Sequence, residues 1–177
     1  PEATLEPELP ICDPHHHFWD MRPERVPYQR YLMHELAADI NSGHNVRSTV
    51  FIEARSMYRA DGPAETRSVG EVEFVQGLAA SSANGMYGPT RAAEAIIGNA
   101  SLNLGAAVEP VLDALQAASP NRFRGVRNSA AWDPHPDVED RADKACWPMR
   151  SSARGRGCWP AGGCPWKIHC ISRSCPS

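Results

Sequence analysis

No run of about 18 apolar residues occurs in this 177-residue chain, so a membrane-spanning helix is not expected. Neither sign of charge dominates. The formal net charge of −3 favours neither nucleic acid nor an anionic membrane surface as a partner. Residues 1–6 are acidic and lack the basic and apolar regions of a secretory signal, and no initiator Met precedes them. The expectation is a cytoplasmic protein, either processed or read from a fragment. Cysteine is scarce in the body of the chain: Cys12 stands alone, while Cys146, Cys158, Cys164, Cys170 and Cys175 crowd the end. No two of them form Cys-x-x-Cys, which excludes the usual zinc-finger spacing. A disulfide knot conflicts with the missing signal. Acidic residues vanish between Lys144 and Ser177, where Trp147, Trp159 and Trp166 sit among Pro, Gly, Ser and basic residues. Neither helical nor strand periodicity is visible there.

Before that stretch the chain alternates. Pro10-Ile11-Cys12 reads as a first strand. Arg30 to Ile40 has helical spacing through Leu32, Leu36, Ala37 and Ile40, and Asn41-Ser42-Gly43 stops it. Ser48 to Glu53 is β-branched and nearly continuous, as a strand buried on both faces would be. Glu65 to Ala80 returns to a helix, Ala95 to Gly98 to a strand, Ala106 to Ala118 to a helix and Phe123 to Arg127 to a strand. Strand and helix in alternation imply parallel strands with right-handed crossovers. The length suits one domain but falls short of the roughly 250 residues of a complete (β/α)8 barrel. The expected organisation is an α/β body over residues 1–143, about four βα units of a partial barrel, followed by an irregular or disordered tail over 144–177. Disordered basic tails are usually poor in Trp and Cys. Cys, Trp, Arg, Gly, Pro and Ser are what GC-rich codons yield out of register. Back-translation of the tail, read two nucleotides along, permits an amphipathic helix and then a strand. The tail is therefore expected to be a frame-shifted translation.

The most informative motif is Asp13-Pro14-His15-His16-His17-Phe18-Trp19-Asp20. Strand side chains alternate, so a His-x-His pair at a strand end presents both imidazoles on one face. Two neutral imidazoles converging there suit a divalent metal such as zinc. A tag remnant or an incidental polar loop is the competing explanation, although tags usually lie at a terminus in longer runs.

With this opening, the body resembles the TIM barrels of the amidohydrolase superfamily, specifically the amidohydrolase-related branch that contains sugar-lactone and dicarboxylate-lactone hydrolases. The resemblance is carried by residues 11–20, by Val50 to Ala54, by Tyr87-Gly88-Pro89-Thr90, by Ile96 to Leu102 and by Phe123 to Asn128. It implies a hydrolase adding water to a lactone, or an amide, of a small carboxylated metabolite. His15 and His17 would be catalytic, holding a divalent metal (zinc first, with manganese or no metal as alternatives) or polarising the carbonyl. His16 would point away, toward packing. Further histidines and a late Asp acting as base are expected of a complete member and are not readable here, so this chain is expected to be truncated and inactive. A metal-dependent decarboxylase of the same fold and a non-catalytic fragment are the alternatives.

Glu53 is a candidate for substrate binding at the end of the second strand, against a structural Glu. Arg124 and Arg127 flank Gly125, and one of them is expected to clamp a substrate carboxylate, against a surface ion pair. Ser101 stands where the branch leads one to expect Asp. His34 and His44 are expected to face solvent, His135 to lie in a loop, and His169 to be an accident of frame. The sequence leaves the oligomeric state open.

Overall fold

The computed structural model describes residues 4–21, 28–128 and 167–169 of the chain. Its centre is a parallel sheet of β1 (Ile11–His16), β2 (Val46–Ile52), β3 (Arg91–Asn99) and β4 (Phe123–Arg127), adjacent in that order. Helices α1 (Met33–Ile40), α2 (Val69–Ala83) and α3 (Glu109–Ala118) connect successive strands, so the expected α/β alternation is present. Three residues of the tail, Lys167–His169 (β5), pair parallel along β4, where the sequence suggested no regular element. The rest of residues 144–177, the boundary at 143 and His135 lie outside the described residues.

Element limits follow local chemistry. The Glu35 carboxylate accepts the Leu32 N–H at 2.8 Å and so fixes the start of α1, later than the spacing from Arg30 suggested. A 3₁₀ turn, Ala64–Thr66, precedes α2, which begins at Val69. Another, Leu102–Val108, precedes α3 and turns at Gly105, whose φ of 56° suits glycine. Pro110 then occupies the first turn of α3, where its missing N–H costs no helical bond. Among the described residues no helix is long and apolar enough to cross a membrane.

The core lies between the helices and one face of the sheet. Leu36 and Ile40 of α1, Val72 and Val75 of α2 and Leu112 and Leu115 of α3 pack with Phe51, Ile96 and Phe123. Helix α2 approaches β3 closely enough that a Cβ at Gly98 would lie 3.1 Å from Val72 Cγ2 and 3.3 Å from Phe123 Cε2. Gly98→Ala should therefore destabilise the fold by about 1–3 kcal/mol through overpacking. Urea denaturation would register this as a lower midpoint at unchanged slope; an unchanged midpoint would mean that the helix can retreat freely.

Parallel register brings the carboxyl ends of all four strands to one end of the sheet. His16 stands opposite Phe51, and Asn99 opposite Arg127. Among the described residues β1 has a neighbour on one side only, so the sheet is open.

Candidate functional site

At the end of β1 the alternation of side chains separates the three histidines. His16 is buried, its ring meeting Phe18 edge-on at 4.7 Å and Phe51 at 5.9 Å. His15 and His17 share the other side, with Nε2 atoms 3.1 Å apart. The expected division, with His15 and His17 together and His16 in packing, is what the backbone produces.

Two contacts to neighbouring groups hold the pair. The His15 backbone N–H donates to Asp13 Oδ1 at 3.0 Å. His17 Nδ1 donates to the Ile52 carbonyl at 2.7 Å, tying the pair to the end of β2. A carbonyl only accepts, so the proton of a neutral His17 is on Nδ1, and its Nε2 lone pair accepts the hydrogen bond that His15 Nε2–H donates at 3.1 Å. Burial lowers the His17 pKa, opposed in part by the Ile52 carbonyl, so the neutral form is favoured. Burial also lowers His16 to about 4, although the His17 backbone opposes this. Neither His16 ring nitrogen has a hydrogen-bond partner of good geometry among the described residues.

The donor set fits a metal in part. Two tetrahedral zinc–nitrogen bonds would place the nitrogens about 3.3 Å apart, close to the 3.1 Å here. An Nδ1–H held by a backbone carbonyl is also how metal-bound imidazoles are usually oriented. Among the described residues, no group of three or more His, Cys, Asp or Glu side chains completes such a site.

Glu53 and Arg127 form the neighbouring part of the site. Arg127 Nε donates to Glu53 Oε1 at 2.9 Å and Nη2 to the Glu53 carbonyl at 2.6 Å. The pair ties the ends of β2 and β4 across the end of β3, and Asn99 Nδ2 supports it by donating to the Arg127 carbonyl at 3.0 Å. Glu53 is buried and Arg127 retains some exposure, so a substrate group could reach only the remaining edge of the guanidinium. Arg124 is not brought here. It is exposed and donates to the carbonyls of Asn121 and Phe123 at the opposite end of β4.

One participant was missed in the sequence. Glu71, on α2, is wholly buried, and its Oε1 accepts the N–H groups of Ala54 and Ser56, each at 2.9 Å. The Ser56 hydroxyl donates to the Phe18 carbonyl at 2.8 Å, so α2 anchors the segment after β2 and, through it, the chain just beyond His17. Arg55 and Met57 in this segment have φ of 56° and 55°, a strained region that such anchoring sustains. Burial raises the Glu71 carboxyl to about 7, with the two backbone N–H groups pulling the other way. The signal was available: Glu71 shares the inward stripe of Val72, Val75 and Ala79 instead of the polar face.

The remaining candidates are peripheral. His34 is exposed, its ring edge-on to Tyr87 at 5.3 Å. His44 is exposed, and Ser101 begins the turn before α3, its carbonyl accepting the Leu104 N–H. A scan against protein-family models and searches of curated proteins and of solved structures return no match for this chain.

Proposed function

We propose that this chain carries the first part of a metal-assisted hydrolase site, acting by adding water to a lactone or amide of a small carboxylated metabolite. The carrying observation is the His15–His17 pair, converged to 3.1 Å with Nδ1 of His17 held by the Ile52 carbonyl. The resemblance to the amidohydrolase-related family supplies the reaction class. A divalent metal held by the two Nε2 atoms would polarise a carbonyl oxygen and lower the pKa of bound water. The chain's own residues then have separate tasks. His17 keeps its Nε2 lone pair turned toward His15, Asp13 holds the His15 backbone, and the Glu53–Arg127 pair fixes the strand ends around them. Arg127 offers a substrate carboxylate only its free edge.

Among the described residues no third His, Cys, Asp or Glu completes a metal-holding group with the pair, and the sheet is open. We therefore expect the chain as written to be without measurable lactonase turnover. The same openness supports the second reading, a non-catalytic fragment of such an enzyme.

Zinc titration by calorimetry tests the metal reading. Wild-type protein should bind about one zinc per chain, and the His15→Ala, His17→Ala double variant should lose at least about tenfold in affinity. Equal binding by both would reject the pair as ligands. Turnover at normal enzymatic rates by the purified chain would refute the inactive reading.

A further inference from the structure

A groove of about 520 Å³ runs along the outer side of β1 toward α1, and His15 and His17 line one end of it. Its wall is unusually fixed. Trp19 and Tyr31 exchange backbone hydrogen bonds at 3.0 and 2.9 Å, which sets their rings side by side with centroids 5.6 Å apart. Trp19 Nε1 donates to the Tyr28 carbonyl at 2.9 Å, and the Tyr31 hydroxyl to Asp39 Oδ2 at 2.5 Å. His17 continues this aromatic wall, its ring 6.2 Å from that of Trp19.

The groove's carboxylates have no Lys or Arg beside them: Asp13 and Asp39 line it together with His44 and the three histidines at the end of β1, and no Lys or Arg does among the described residues. Leu36 and Ile40 provide an apolar floor. An anion entering here would meet two carboxylates and the electron-rich faces of two aromatic rings. An ammonium group would be attracted by both.

We propose that this groove binds a small organic cation: a protonated amine near Asp13 and Asp39, with its apolar body against Trp19 and Tyr31. This deepens the hydrolase reading, because it narrows the lactone or amide to one that carries an ammonium group beside the histidine pair. Its test needs neither metal nor turnover, so either claim can fail while the other stands.

The experiment is a titration of the metal-free full-length chain with three probes of similar size: phenethylamine, 2-phenylethanol and 3-phenylpropionate. Calorimetry should give phenethylamine an affinity about tenfold above that of the alcohol, with the carboxylate weakest. Asp39→Asn should reduce phenethylamine affinity about three- to tenfold and leave the alcohol unchanged, with circular dichroism confirming the fold. Tyr31→Phe frees Asp39 from its hydrogen bond and should retain the preference for the cation. Equal affinity for the three probes, preference for the carboxylate, no binding of phenethylamine, or full preference retained by Asp39→Asn would each overturn the proposal.

Discussion

Arg127→Met should cost the fold about 3–5 kcal/mol, because it strands a buried carboxylate. Glu53 is only 3 % exposed, and among the described residues its Oε2 already lacks a hydrogen-bond partner. The guanidinium supplies the compensating charge through Nε and Nη2, reaching across the end of β3. Without it, the carboxylate must either remain charged among buried groups or take up a proton. Glu53→Gln should cost less, since Arg127 keeps partial access to water. The double variant Glu53→Gln, Arg127→Met should recover much of the loss, because no unpaired buried charge remains. Urea denaturation at pH 7 of the four proteins forms the cycle. A cost below about 1 kcal/mol for Arg127→Met would show that water already solvates Glu53.

The second large effect is hidden in the wild-type protein and appears only when one of two opposed groups is removed. Burial pushes the His16 imidazole down from its ordinary value of 6.5 to about 4 in the fold. Its contribution to stability is complete above pH 6.5 and is lost as pH falls toward 4. Glu71 runs the other way, from 4.5 in the unfolded chain to about 7 in the fold, again chiefly through burial. Its contribution is complete below pH 4.5 and is lost as pH rises toward 7. Each amounts to about 3 kcal/mol over its window, and between pH 4.5 and 6.5 the two slopes nearly cancel. Lowering of His17 adds to the His16 direction.

Glu71→Gln removes one slope while keeping an oxygen for the Ala54 and Ser56 N–H groups. Its stability should rise by about 3 kcal/mol from pH 4 to 6.5. His16→Met, similar in volume, should instead lose about 3 kcal/mol from pH 4.5 to 7. Stability curves from urea denaturation at several pH values would show the two variants diverging. Parallel curves for both variants and wild type would contradict the assignment of these two groups.

What the sequence made legible was the alternation of elements and the facing of the histidines, because both follow from backbone period. The β-branched run at 48–53 marked β2, and the apolar spacing marked all three helices. β3 was read only from Ala95, whereas it begins at Arg91. Its first half, Arg91-Ala92-Ala93-Glu94, has no β-branched residue, and its pairing is set by tertiary contacts: Ser82 and Thr49 hydroxyls accept the Ala92 and Ala93 N–H groups. No local pattern encodes such partners. For the same reason Arg124 and Arg127 looked equivalent around Gly125. Only the fold shows one tied across the sheet to Glu53 and the other folded back on its own loop. The aromatic wall was likewise unreadable, since Trp19 and Tyr31 meet through an isolated antiparallel bridge.

The central claim is that the Nε2 atoms of His15 and His17 converge where both can bind one metal ion, and imidazole nitrogen NMR tests it most directly. The metal-free protein should show His17 as the Nδ1–H tautomer, its proton held by the Ile52 carbonyl. Added zinc should then shift the Nε2 resonances of both His15 and His17 together and leave His16 unmoved. A His17 proton on Nε2, or a zinc response confined to other histidines, would contradict the account.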